Sequence, residues 1–340
     1  MLSEQLREDI FSWEGIMTIG VITAFMIIII GNSGCIDSES TDKESKTIKV
    51  SGAYALYPMM VVWADEYQKI HPNVKIEVSG GGAGKGMADA LGGVVDMGMV
   101  SRDIYPEEID KGAFYVSVAK DAVVVTINSE NPVLDELNKR GVTREELVKI
   151  FITREIKTWG ELVGKPEIKD EIKVYTRADA CGAAQTWAEY LGDYTQEDLT
   201  YGADTGIMYD PDLAGAVARD KYAIGYNNIN FAYDIKKESF VEGIRVVPID
   251  LNENGKLDED ERVYGTRREI LQAIENGIYP SPPARDLHLA TRGGFKGETK
   301  EFVRWILTDG QEYIPENGYI QLPSEKIKAE SNVLESGERT

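Results

Sequence analysis

Three stretches of this chain bring small residues to the start of a helix-like segment: Ser51 to Tyr57, Ser79 to Gly86 and Arg177 to Ala183. The first N–H groups of a helix have no acceptor within it, and small side chains leave them open. Aided by the helix dipole, such turns bind anions without any cofactor. Three of them meeting in one crevice would replace the hydration shell of a tetrahedral oxyanion. Arg102 and Arg177 stand beside two of these turns. Each turn taken alone is equally well read as a tight connection with no ligand, and the three together favour an anion site. Nucleotide chemistry fits poorly. Gly80 to Gly86 offers no register of G-x-x-x-x-G-K-[ST], because Ser79 precedes Gly80 and Gly86 follows Lys85; the dinucleotide pattern G-x-G-x-x-G fails as well. His71 and His288 are the only imidazoles, and His71 sits in a turn before Pro72. A Ser-His-Asp or Cys-His enzyme is therefore disfavoured, and no enzymatic activity is expected.

A second pattern is unrelated to anions. Residues 250–261 match the twelve-position calcium loop, with side-chain oxygens at Asp250, Asn252, Asn254, Asp258 and Glu261, the Lys256 carbonyl at position 7 and Gly255 at position 6. Ile244 to Ile249 before it reads as a strand, so a full helix–loop–helix unit is not expected. The predicted cofactor is one structural calcium ion; the competing reading is an acidic surface loop.

The elements that must position these residues alternate between strand and helix. Ile48 to Ser51 reads as a strand, Pro58 to Ile70 as a helix, Val74 to Val78 as a strand, Met87 to Leu91 as a helix, and Val94 to Met99 as a strand. The continuous run Ala122 to Ile127, apolar but for Thr126, predicts a strand buried on both faces. Thr143 with Glu146 is a capping box for a helix to Phe151. Further on come a strand Val174 to Thr176, helices Gly182 to Leu191 and Asp212 to Asp220, and a strand Ala223 to Tyr226. The tail adds a helix Arg267 to Asn276, a strand Leu287 to Thr291 and a helix Lys300 to Asp309. This is an α/β order with no solenoid period.

Bulk properties narrow the partners. The 340 residues are 42% hydrophobic and 28% charged, enough for two cores. Acidic residues number 58 against 37 basic, a formal net of -21, which repels nucleic acid. Any anion site must then be local and buried. Cys35 and Cys181 are the only cysteines, too few for a disulfide framework. Ile16 to Ile30 is an apolar run of about fifteen residues, shorter than the roughly twenty of a full span. It leads into Gly31-Asn32-Ser33-Gly34-Cys35, which resembles a lipobox with Cys35 as the lipidated residue. Asn32 stands where that pattern prefers an aliphatic residue, so an uncleaved N-terminal anchor is the alternative. Residues 1–35 are thus a signal peptide with lipobox, or a membrane anchor, and 36–46 a flexible tether. Both readings place the body outside the membrane.

Taken in order, Ser51-Gly52-Ala53-Tyr54-Ala55-Leu56-Tyr57-Pro58, Gly80 to Gly86, Asp96 to Arg102, Val118 to Val125, Arg177 to Ala183, Ala223 to Tyr226, Asp309-Gly310-Gln311 and Gly318-Tyr319 resemble the phosphate-binding proteins of ABC importers. The resemblance covers nearly the whole body. It implies a two-lobed periplasmic-binding-protein type 2 fold with two crossing hinge strands, near Asp121 to Asn128 and Ile224 to Asn230. Lobe 1 would comprise 47–122 and 228–340, and lobe 2 would comprise 123–227. It also implies an inorganic oxyanion as ligand and a transmembrane permease as partner. The ligand-binding positions it points to are Ala53, Tyr54, Ala55, Ala83, Gly84, Lys85, Ser101, Arg102, Arg177, Asp179, Cys181, Gly182 and Ala183.

The departures are informative. The family commonly has hydroxyl residues where this chain has Ala53, Tyr54 and Ala55, and serine at Ala83. Its Ser-Gly-Thr becomes Cys181-Gly182-Ala183 here. Hydroxyls are adaptable donors and a thiol is a weak one, so backbone N–H groups, Arg177 and Ser101 must bind more of the ligand. Phosphate leads, with molybdate, tungstate or arsenate as alternatives. Asp179 either accepts the proton of a hydrogen oxyanion or only orients Arg177. Cys181 either is a reactive thiol at a helix start or passively replaces serine. A calcium-dependent surface interaction protein on the same fold is the rival from another class.

Overall fold

The structure is a computed structural model that describes residues 46–339. The expected signal or anchor at 1–35, with Cys35, and the tether up to residue 45 lie outside the described residues. Among the described residues the strands are β1 (Lys46–Gly52), β2 (Val74–Gly80), β3 (Met97–Val100), β4 (Ala113–Asn128), β5 (Lys173–Arg177), β6 (Thr205–Ile207), β7 (Ala223–Asn228), β8 (Ile244–Val246) and β9 (Ala284–Arg292). They form one sheet in the order β2-β1-β3-β9-β4-β7-β5-β6, with β8 also on β4.

Ile48 and Val50 are buried while Thr47 and Lys49 are exposed, so β1 turns one face to a core. It runs parallel to both β2 and β3. Parallel neighbours need crossover connections, and the helices Tyr57–Ile70 and Ala83–Leu91 supply them. Both helices begin at the same end of the sheet, which brings the first two small-residue loops together. The second helix starts at Ala83 rather than at Met87, so Gly84 and Lys85 lie in its first turn.

The sixteen-residue β4 joins the two halves. Ala113 to Ala122 pairs antiparallel with β9, whereas Val123 to Ile127 pairs with β7. The run Ala122 to Ile127 is fully buried, and its one polar side chain, Thr126, donates its hydroxyl to Asn227 Oδ1 at 2.7 Å. One core gathers Val50, Trp63, Met97, Leu289 and Phe302, and the other Val124, Phe151, Trp187, Tyr226 and Ile270.

The lobe boundaries differ from expectation. Ile229, Tyr233, Val246, Tyr264, Ile274 and Tyr279 pack into the second core, and β8 pairs with β4 at Thr126 to Asn128. Residues 229–283 therefore belong with lobe 2, and the chain returns to lobe 1 through β9, not near Ile224 to Asn230. The physical reason is pairing: β7 bonds to the lobe 2 half of β4 and to β5, which keeps the segment after β7 on that side.

The Thr143 box is present, with Glu146 N–H donating to Thr143 Oγ1 at 3.2 Å and Thr143 N–H to Glu146 Oε2 at 3.0 Å. Such caps contribute about 1 kcal/mol. The closing helix Ser324–Ser336 is not evident from periodicity; it buries only Glu330 and Leu334. Among the described residues no helix is long and apolar enough to cross a membrane.

Candidate functional site

The three loops meet where the lobes touch. Gly84 N–H donates to Ala180 O across the cleft at 3.3 Å. Gly82 has φ +85°, and a Cβ there would fall 2.8 Å from Ala180 O. At Gly182 a Cβ would lie 2.1 Å from Ser101 O. Glycine at these two places is what lets the loops approach so closely. The helix Gly182–Leu191 starts at this contact, with Cys181 as its N-cap.

Arg177 ends β5 and is 0% exposed. Its backbone N–H donates to the Tyr226 hydroxyl at 3.2 Å, which fixes the strand end. Its side chain forms a fork with Asp179, Nε to Oδ1 at 2.7 Å and Nη2 to Oδ2 at 2.5 Å. On the other side Nη1 lies 2.5 Å from Asp210 Oδ2. That contact is an ion pair without hydrogen-bond alignment, so Nη1 is a buried donor without an aligned acceptor. Buried charge requires such pairing, and two carboxylates on one guanidinium leave the group with a net negative charge. Burial pushes the Asp210 carboxyl above its usual range, against the pull of Arg177.

Polar contacts continue inward from Asp210. Asn228 Nδ2 donates to Asp210 Oδ1 at 2.6 Å, and Arg285 donates to Asn228 Oδ1. Arg285 Nε in turn donates to Asp121 Oδ1 at 2.9 Å, and Nη1 to Thr186 Oγ1 at 3.1 Å. Asp121 lies on β4 and Arg285 on β9, the two strands that run between the lobes. Burial also raises the Asp121 carboxyl, with Arg285 opposing. The third loop is braced by Gln196, whose Nε2 donates to Asp179 O at 2.6 Å while its Oε1 accepts Cys181 N–H at 3.2 Å. Sequence reasoning does not find Asp210, Asn228, Arg285 or Gln196. An acid followed by proline at a helix start is the one available signal, at Asp210-Pro211.

The other expected residues divide clearly. Ala53 N–H donates to Met99 O at 2.9 Å, and Ala55 O accepts the Tyr319 hydroxyl at 2.7 Å. Ala83, Ser101 and Ala183 are buried at the loop contact. Cys181 caps its helix, with Ala184 N–H donating to Sγ at 3.3 Å. Burial pushes this thiol up to about 12, against Arg177, so it is a neutral thiol rather than a reactive thiolate. Arg102 is not brought to the loops. Its guanidinium is held by Glu108 at 2.9 and 2.6 Å and by the Asp103 carbonyl at 2.7 Å, and it stacks on Tyr105. Lys85 likewise turns its ammonium to Asp89, leaving only its backbone at the helix start.

The acidic loop folds around Gly255 at φ +83°. Asp250 Oδ2 accepts Gly255 N–H at 2.8 Å, and Glu261 Oε1 accepts Leu251 N–H at 2.8 Å. Both carboxylates are buried, whereas Asp258 is paired with Lys256 at 2.6 Å and bonded by the amides of Asn252 and Asn254. The Lys256 pair, with those amides, holds Asp258 down at about 2. Among the described residues no three His, Cys, Asp or Glu side chains converge on one metal position. Side-chain and backbone oxygens are the ligands calcium takes; here the Asn252 and Asn254 amides donate to Asp258, and the Lys256 ammonium pairs with it. The loop sits on lobe 2, not lobe 1: Leu257 N–H donates to Lys139 O and Asp250 N–H to Val142 O, each at 3.1 Å.

Two α/β lobes joined by long shared strands, with a buried arginine where their loops meet, define a binding protein of the periplasmic type. The family model for the PBP superfamily domain matches residues 37–310, and the chain belongs to that family. It is similar to the phosphate-binding protein PstS of Bacillus subtilis, 25% identical over 328 residues, covering 93% of this chain and 97% of that one. The protein of the same name from Methanocaldococcus jannaschii is 25% identical and covers 91% and 92%. Among solved structures, a candidate phosphate ABC transporter substrate-binding protein with bound phosphate from Clostridium perfringens aligns with a TM-score of 0.66 at 24% identity, over 82% of this chain and all of that one. These relatives carry the names of binding proteins, not of enzymes.

Proposed function

We propose that this chain captures an inorganic oxyanion outside the membrane, phosphate first, and delivers it unchanged to the transmembrane permease of an ABC importer. The observation that carries the reading is Arg177: a fully buried guanidinium, oriented by Asp179 and Asp210, at the point where three helix-starting loops meet. Charge-assisted donors in such a setting are strong and directional. The names of the relatives agree with phosphate as the ligand and with an ABC importer as the setting. Two carboxylates around one arginine also favour an anion that still carries a proton, which one of them accepts, over a fully ionised one. On this argument molybdate and tungstate should bind more weakly than phosphate and arsenate.

In this reading Cys35 carries the lipid that holds the protein on the outer face of the membrane, or the N-terminal segment stays as its anchor. Calcium at Asp250, Asn252, Asn254, Lys256, Asp258 and Glu261 would stiffen lobe 2 without touching the ligand. A ligand that binds only the folded state raises its stability with the logarithm of concentration. Thermal midpoints should therefore rise in calcium and fall in chelator, with Glu261→Ala insensitive to both; unchanged midpoints would make the segment an ordinary acidic loop. Calorimetric titration of the desalted protein against phosphate, arsenate, sulfate, molybdate and tungstate tests the main reading. Saturable binding led by phosphate supports it. Binding of none of the five would defeat it, and preference for molybdate or tungstate would reassign the ligand.

A further inference from the structure

Two tyrosines from opposite lobes meet beside the Arg177, Asp179 and Asp210 group. Tyr54 comes from the loop after β1, and its ring lies against the Gly80 backbone, where a Cβ would fall 2.4 Å from Tyr54 Cε1. Tyr209 comes from the other lobe, one residue before Asp210. The ring centroids are 5.2 Å apart at 56°. Tyr209 adopts φ 66° and ψ 150°, a conformation otherwise kept for glycine. A bulky residue there needs support, and the support comes from the site itself: Tyr209 N–H donates to Asp179 Oδ1 at 3.2 Å, the same atom that accepts from Arg177 Nε. Tyr209 is 37% exposed and its ring meets that of Tyr54, whereas Arg177 is 0% exposed. Burial raises the Tyr54 hydroxyl, with Tyr209, Asp179, Arg177 and Asp210 all close enough to act on it.

We propose that Tyr54 and Tyr209 are specificity-determining residues whose rings form an aromatic roof over the Arg177 site, admitting a bare tetrahedral oxyanion and rejecting its organic esters. The inference rests on the reading of this cleft as an oxyanion site. A bare oxyanion presents four small oxygens that the loops can enclose. In this reading the carbon substituent of a monoester leaves the site toward the Tyr54–Tyr209 ring pair, which spans the two lobes. Seating the ester would part a ring contact that joins the lobes. It would also disturb Tyr209, whose backbone is tied to the carboxylate orienting Arg177. The aromatic side chain explains why a strained non-glycine residue is kept at this position.

Competition between phosphate and methyl phosphate, measured by calorimetry on wild type, Tyr54→Ala, Tyr54→Phe and Tyr209→Gly, tests the roof. Wild type should prefer phosphate. Tyr54→Ala should reduce that preference by about tenfold, chiefly by gaining methyl phosphate, which is the size expected for losing one aromatic pair contact. Tyr54→Phe should keep the wild-type ratio, because the ring and not the hydroxyl forms the roof. Tyr209→Gly relieves the backbone and removes the ring, so it should fold readily and match Tyr54→Ala. An unchanged ratio in both ring-deleted variants would overturn the proposal while leaving the oxyanion reading standing, as would a Phe variant that behaves like alanine. Wild type that binds no bare oxyanion at all would overturn both.

Discussion

The two lobes meet the cleft with different materials. Both lobes bring a helix start and an aromatic ring; lobe 1 adds the Ser101 hydroxyl, while its nearby cations Lys85 and Arg102 are held by Asp89 and Glu108. Lobe 2 brings charge, with Arg177, Asp179 and Asp210 all buried. In the proposed function the electrostatic grip on the anion comes from lobe 2, while both lobes shape the site. Substitutions of charge should therefore act very unequally across the cleft.

The largest effect is expected at Arg177. Arg177→Ala leaves Asp179 and Asp210 buried without their cation, and phosphate binding should weaken by about a thousandfold, in line with truncation of a buried charged partner. Arg177→Lys should recover only part of this, since the planar fork is lost. Titration calorimetry of both variants decides the matter, and near wild-type affinity in the alanine variant would erase the contrast between lobes.

A difference in pH response comes next. His288 lies in lobe 1, buried on β9 with Nδ1 3.1 Å from Ser117 Oγ, and burial lowers it to about 4. Its folded value is below its unfolded one, so the unfolded chain holds more protons between pH ~6.5 and ~4. Stability present above that window is lost as pH falls through it, by up to about 3 kcal/mol. His288→Asn should flatten the fall in thermal midpoint across this range. In lobe 2 the sign is opposite: Asp210 is raised, so its contribution declines as pH rises from the ordinary carboxyl range. Equal slopes in wild type and the His288 variant would remove His288 from the account.

Smaller still is the effect of Asp179→Asn, which should weaken hydrogen phosphate by about tenfold, the loss of one charged acceptor, and a fully ionised oxyanion less. Equal losses would leave Asp179 with orientation alone. Lys85→Ala should change affinity by less than about twofold, as expected for an exposed lysine paired on its own helix. A larger loss would move grip into lobe 1.

Local rules make much of this legible in the sequence. The Thr143 to Glu146 capping box, the buried run Ala122 to Ile127 and the helix start at Gly182 depend on neighbours a few residues away, and each stands where local chemistry puts it. The Arg177 to Asp179 pair is local too, two residues apart at a strand end, although Asp179 enters the reading only through the family resemblance. Asp210, Asn228 and Arg285 are not, because their pairing is created only when distant strands come together. Arg102 shows the converse: its position beside a loop is readable, but Glu108, held six residues on, redirects its guanidinium. The lobe membership of residues 229–283 escapes the sequence because β8 is only three residues long and its pairing to β4 leaves no periodic trace.

The most direct test is a phosphate titration read through the side-chain resonances of isotope-labelled arginine. The account predicts that the Arg177 signals shift and saturate with phosphate while those of Arg102, held by Glu108, stay in place. Movement of Arg102 with Arg177 unchanged would contradict it and put the ligand on the other lobe.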